Sequence, residues 1–314
     1  MPESVLNITD TVTGPIPPRS RGPASLSVLH TRLDRLVEEM GAPPWSRRLI
    51  FDERNLVTLI AAGPGGGNRP HWHPDFDEWW VVLAGHLRWE LTGGRVLEAG
   101  PMDIVWAPRG TVHHIQNVGT GLSLRLAVSM PPGVHNYSDC QECGFADDGP
   151  RVYGTVEPVV PGAVNISDVV EGPIPPRSDN ETWPNKLHTR LADVTDALGE
   201  PTWYERLLED ERNFVTIVGD SPGSGNRAHW HPDFDEWWVV MAGELQWELT
   251  GGETIRAAEG DIVWVPRGTV HHISNVGAGL SVRLAVAMPP GTHCFEPCES
   301  CGYSEDGPAV SRMD

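Results

Sequence analysis

The chain repeats itself at a fixed distance of 158 residues. Asn7-Ile8 returns as Asn165-Ile166, the block Gly14–Ser20 as Gly172–Ser178, and His71–Trp80, HWHPDFDEWW, returns unchanged as His229–Trp238. Laying 7–156 on 165–314 needs no gap and pairs 88 identical residues among 150. Self-similarity at that level means two copies of one fold. The Pro- and Gly-containing stretch Glu157–Gly162 reads as the linker, which sets the expected domains at 1–157 and 158–314.

Within one copy the apolar pattern selects the elements. Leu29, Leu33, Leu36, Val37 and Met40 recur at helical spacing, and Gly41 stands where a helix would stop. Leu187, Leu191, Val194, Leu198 and Gly199 repeat the pattern. Downstream, Asn55–Ala61, Glu78–Leu83, His86–Leu91, Asp103–Trp106 and Ser123–Ser129 are short runs rich in Val, Leu and Trp, parted by turn residues. With 34 Gly and 29 Pro in 314 residues, five to eight short strands per copy are expected, an all-β sandwich or small barrel after a short N-terminal helix. The net charge of −20 argues against nucleic acid or an anionic membrane as partner. No apolar run reaches the length of a membrane span, and Met-Pro-Glu-Ser does not start a secretory signal. A cytoplasmic location is expected. Five cysteines are too few for a disulfide scaffold.

Chemistry concentrates in two constellations. Gly65, His71, His73, Glu78 and Gly85 form the first; Pro108, Gly110, His113 and Asn117 form the second. Alternation on an extended strand sends His71 and His73 to one face and Trp72 to the other. A turn at Pro74-Asp75 returns Glu78 to that interior, and His113 arrives from a distant strand. Three imidazoles and one carboxylate suit Fe(II), Mn(II), Ni(II), Cu(II) or Zn(II), and leave two positions open on a six-coordinate ion. The second copy repeats the set as His229, His231, Glu236 and His271. Only Met102 departs, where the second copy has Gly260 at a turn. His114 and His272, one residue on, are expected to face away from the ligands.

These spacings are the two motifs of the cupin superfamily, and the chain resembles a bicupin over nearly all of its length. The resemblance implies two jelly-roll (double-stranded β-helix) barrels in tandem, each with a divalent metal. Bicupins of seed storage, whose histidines no longer bind metal, are the structural alternative. The order of features further resembles bacterial 3-hydroxyanthranilate 3,4-dioxygenase: an N-terminal helix, the strand from Asn55, Gly-Asn-Arg before the histidines, Glu259–Pro266, and a CxxCG tail. That resemblance implies an Fe(II)-dependent, ring-cleaving dioxygenase acting with O2 on an aminophenol or catechol carboxylate. It also implies a substrate-carboxylate role for Arg69 and Arg227, two residues before His71 and His229. The chain departs from that family in its extra His, in Asn117 and Asn275 where a pocket arginine belongs, and in Ser129 and Ala287 where a glutamate belongs. Arg125 and Arg283 on the last strand are then alternative anion anchors or solvent-facing groups.

Other readings follow from single features. Asp75 and Asp77 decorate the turn, Trp80 walls the interior, and the remaining tryptophans pack. Cys140-x-x-Cys143 and Cys298-x-x-Cys301 each offer half of a four-thiolate site for structural Zn or Fe, joined within the chain or across a homodimer, or completed by Cys294. A non-redox metallo-cupin is the second functional class: an isomerase, decarboxylase or lyase, with HWH similar to oxalate decarboxylase. A metal-dependent small-molecule binder without turnover is the third.

Overall fold

In a computed structural model of the protein the described residues are 27–73, 76–91, 94–131, 133, 135, 184–231, 233–291, 293 and 294. The first repeat contains β1 (His30–Thr31), α1 (Leu33–Met40), β2 (Trp45–Phe51), β3 (Leu56–Ala62), β4 (Glu78–Ala84), β5 (Leu87–Leu91), β6 (Arg95–Ala99), β7 (Ile104–Ala107), β8 (His113–Asn117) and β9 (Ser123–Ser129). The second contains β10 (His188–Thr189), α2 (Leu191–Leu198), β11 (Trp203–Glu209), β12 (Phe214–Asp220), β13 (Glu236–Ala242), β14 (Glu244–Leu249), β15 (Glu253–Ala258), β16 (Ile262–Val265), β17 (His271–Asn275) and β18 (Ser281–Ala287).

Two compact units result, Val37–Ala197 on one hand and Met1–Leu36 with Leu198–Asp314 on the other. In the first unit a six-stranded sheet of order β10-β7-β4-β9-β3-β2 accompanies a three-stranded sheet of order β6-β5-β8. Strand sequence explains the placement. Glu78–Ala84 is apolar beyond its first residue and buried through Leu83, so β4 sits mid-sheet, with Trp80 opposite Val105 on β7 and Ala127 on β9. Leu87–Leu91 alternates buried and half-buried, so one face of β5 meets the interior. There Trp80, Val82, Trp89, Ile115 and Ala127 form one cluster. The second unit repeats both sheets as β1-β16-β13-β18-β12-β11 and β15-β14-β17, around Trp238, Val240, Trp247 and Ile273.

One expectation changes. The helix begins at Leu33, not at Leu29, because the preceding residues are taken up as an edge strand. His30 and Thr31 pair with Val263 and Ile262 of the other repeat, and Trp264 donates to the Leu29 carbonyl at 3.0 Å. The Asp261 carboxylate accepts the Leu33 N–H at 3.0 Å and so caps α1 from a distant part of the chain. The other arm behaves alike: His188 and Thr189 pair with Val105 and Ile104, and Trp106 donates to the Leu187 carbonyl at 3.1 Å. Each unit therefore takes its edge strand from the arm of the other repeat. The units divide within the helices, while the linker expected near residue 158 lies outside the described residues, as do Cys140, Cys143, Cys298 and Cys301.

Met102 and Gly260 both occupy the left-handed region, at φ 66° and 87°, where glycine is the unstrained residue. Leu33 Cδ2 lies 2.6 Å from where a Cβ on Gly260 would be, so in the second repeat the arm closes over that turn. Among the described residues no helix is long and apolar enough to cross a membrane. Replacing Asp261 by Ala strips acceptors from Leu33 N–H, Ala258 N–H and the His30 ring. Urea denaturation is expected to show a loss of about 1–3 kcal/mol; an unchanged midpoint would mean that the arm contributes nothing to the second unit.

Candidate metal centre

The backbone brings the donors together before any ion is considered. In the first unit His71 bridges to His113: His113 N–H donates to the His71 carbonyl at 2.8 Å, and His71 N–H to the His113 carbonyl at 3.2 Å. The loop ahead of His71 lies against β8 at Gly67, where a Cβ would stand 2.0 Å from the Ile115 carbonyl oxygen, so only glycine fits. Asn68 Oδ1 then accepts the Ile115 N–H at 2.5 Å. Gly110 N–H donates to the His73 carbonyl at 2.7 Å, and Asp77 accepts from Arg109 N–H at 2.8 Å. Asp77 is therefore buried and ties the start of β4 to the loop before β8, rather than decorating a turn; Asp75 lies outside the described residues.

His71, His73, Glu78 and His113 each present one donor atom within 4.8 Å of all the others, and all four are buried. His229, His231, Glu236 and His271 do the same in the second unit. His71 Nδ1 faces the Arg69 carbonyl at 2.7 Å and His113 Nδ1 the Thr111 carbonyl at 3.0 Å. Donating those N–H groups fixes the tautomer and leaves both Nε2 atoms as acceptors. They stand 3.0 Å apart, and Glu78 Oε2 lies 3.1 Å from His113 Nε2 and 2.8 Å from His73 Nε2. In the second unit these distances are 3.1, 3.2 and 2.6 Å. Lone pairs converging in a buried space repel one another unless a cation lies between them. Three imidazole nitrogens and one carboxylate oxygen are borderline donors for a divalent transition ion, so the residues present fit such a metal.

Electrostatics agree. Burial and then the neighbouring His113 and His73 hold His71 well below the ordinary imidazole value. Burial also lowers His113, against the pull of Glu78. Burial opposes the charge on Glu78, yet the imidazoles of His73 and His113 outweigh it and keep this carboxyl well below its usual range.

The donors open onto a cavity of about 50 Å³, room for a few waters or a small organic acid. Ser46, Thr58, Ile60, Asn68, Trp80 and Ile115 line it together with Arg125 and His135. Trp80 walls the interior, edge-on to His113 at 5.0 Å between ring centroids. The matching cavity has Tyr204 in place of Ser46 and contains Arg283 and His293. His135 escaped the motif reading. Its ring lies 4.7 Å from that of His71 and 4.6 Å from that of His73, and burial lowers it to about 4. The signal was present in Pro-Pro-Gly-x-His, which ends at His135 and again at His293. Arg69 gives the site the carbonyl that orients His71, and Arg227 does the same for His229. The guanidinium on the cavity wall belongs to Arg125, on β9. His114 turns away toward Glu90 Oε2, at 3.3 Å. Asn117 staples a loop, donating to the Ala62 and Gly121 carbonyls.

The cupin-domain profile matches residues 58–130 and 216–288, one stretch in each repeat. Among solved structures the fold is similar to Bacillus subtilis oxalate decarboxylase with its Mn(II) centres, at 20% identity and a TM-score of 0.50 over 80% of this chain and 74% of that one. A second oxalate decarboxylase structure gives 21% and 0.51 over 80% and 74%, and a third, again from Bacillus subtilis, 20% and 0.50 over 80% and 73%. No curated protein matches the sequence. At these identities the structural likeness is one of fold.

Imidazoles held neutral by burial make the metal-free protein acid-sensitive. The folded-state values of His71, His113 and His135 lie below the unfolded one. As pH falls through about 6.5 the unfolded chain therefore takes up protons that the native state refuses, and stability drops. Glu78, with its depressed value, adds to the loss at still lower pH. Thermal melts in chelator are expected to shift down between about pH 7.5 and pH 5.5; equal midpoints would contradict the buried, neutral assignment.

Proposed function

The chain is a tandem cupin, and we propose that it is a metal-dependent enzyme of the non-redox kind, a decarboxylase or lyase whose substrate is a small organic acid. One observation carries this reading: the three imidazoles and one carboxylate open onto a cavity of about 50 Å³ that has a buried guanidinium in its wall. Such a cavity favours a short acid over a substituted aromatic ring.

His71, His73, Glu78 and His113, with their counterparts in the second unit, would hold a divalent ion. Bound there, it supplies a Lewis acid that polarises a carboxylate or carbonyl oxygen. The rest of the chemistry belongs to the chain. The Arg69 and Thr111 carbonyls keep the rings turned toward the donor cluster. Ile60, Trp80 and Ile115 keep the cavity poor in water, which strengthens every charge interaction within it. Arg125 orients the acid, and His135, neutral at neutral pH, offers it a hydrogen bond. Mn(II) is the ion we favour, since the Bacillus subtilis oxalate decarboxylase of similar fold has Mn(II) centres. Fe(II) suits the same donors, and with O2 would serve the ring-cleaving dioxygenase that the sequence resemblance implies.

Metal analysis after loading with Mn(II) is expected to give two equivalents in the barrels, and none there once His73→Ala and His231→Ala are combined. A screen of short mono- and dicarboxylic acids is expected to find turnover with release of CO2, or elimination, and no net O2 consumption. Oxygen uptake matched to the loss of an aminophenol or catechol would overturn this reading in favour of the dioxygenase.

A further inference from the structure

The two cavities are built from equivalent residues but do not carry the same charge. Arg125 is 1% exposed, and neither its Nε nor its Nη1 has a hydrogen-bond acceptor among the described residues. Its pKa is lowered by burial to about 10, so it remains a cation at neutral pH. The opposite charge that reaches it is Glu78, whose carboxylate is already engaged by His73 and His113. In the second unit Arg283 donates through Nη1 to Asp220, which is fully buried at the end of β12. The residue 158 positions earlier, at the end of β3, is Ala62. One difference between otherwise similar copies thus neutralises one guanidinium and leaves the other unpaired.

A buried cation without an acceptor is costly, and a protein keeps one where a ligand completes it. We propose that the first barrel contains a carboxylate-binding subsite at Arg125, and that the second barrel lacks it because Asp220 occupies the guanidinium. Thr58 and Ser46 line the same space and supply hydroxyl groups to the anion. With equal ions on the two donor sets, the first cavity is one positive charge richer. It takes the acid, while the second accepts a neutral guest or none. This deepens the reading of a small acid as substrate and rests on it only for the chemical class of the guest.

The test is calorimetric titration of the Mn(II)-loaded full chain with formate. One equivalent is expected to bind at least about tenfold more tightly than any second. Ala62→Asp is expected to weaken that site by about tenfold or more, Arg125→Gln to remove it, and Asp220→Ala to create a second site of similar strength. Metal content and circular dichroism confirm that each variant is loaded and folded. If Asp220→Ala fails to fold, the other two variants decide. Two equal sites in the wild type, a tight site that survives Ala62→Asp and Arg125→Gln, or no saturable binding of formate would overturn the proposal. Binding rather than turnover is read. A chain with one formate site and no catalysis would sink the enzyme reading alone, and the same titration on metal-free protein decides the asymmetry if no metal loads.

Discussion

Three imidazoles and a carboxylate converging inside a protein, two of the imidazoles as acceptors, are the constraint on which the site depends. In each unit one imidazole nitrogen stands about 3 Å from a second imidazole nitrogen and about 3 Å from a carboxylate oxygen, with a third imidazole on the same carboxylate. Because the remaining nitrogens of His71 and His113 are committed to backbone carbonyls, no tautomer relieves the crowding at Nε2. Coulomb repulsion in a medium of low polarity makes this arrangement unfavourable without a cation, and favourable with one. The scaffold holds the donors in that geometry through contacts that do not depend on them. Gly67 lets a loop lie against β8, Asn68 fastens it there, and Asp77 pins the loop that precedes His113.

Duplication left the donors unchanged and altered what surrounds them. The wall residues Ser46 and Tyr204 differ, and so do Ala62 and Asp220 behind the two arginines. The second change decides how the site is charged, because a carboxylate bonded to a buried guanidinium removes that guanidinium from the reach of a ligand. The exchanged arms, through His30 with Asp261 and His188 with Asp103, have the opposite character: they recur in both copies with the same geometry. Sheet edges that need a partner strand are thereby filled from within the chain.

Much of this could be read from the residues alone. The 158-residue period gave two copies of one fold, and the spacing of His71, His73, Glu78 and His113 gave the donor set, because strand alternation is a strict rule. Strands β3, β4, β5, β7 and β9 were legible from Val, Leu and Trp runs. Other features were not. β2, with Ser46, Arg47 and Arg48 in its middle, and β6, with Arg95 and Glu98, lack the apolar signal because they lie toward sheet edges. Leu29 and Leu187 continue the helical spacing, yet they serve an edge strand, a choice made by a partner far along the chain. His135 reaches the cavity through tertiary packing, and the repeated Pro-Pro-Gly-x-His marks the residue without saying where it goes. The pairing of Arg283 with Asp220 required the fold before its meaning could be seen.

The position of the ion itself tests the convergent donor cluster most directly. Crystals grown with Zn(II) and measured at its absorption edge should give one anomalous peak inside each barrel. Each peak should lie roughly 2.0–2.2 Å from three imidazole nitrogens and one carboxylate oxygen, those of His71, His73, His113 and Glu78 or of His229, His231, His271 and Glu236. Barrels without a peak, or peaks within them coordinated by other side chains, would contradict it.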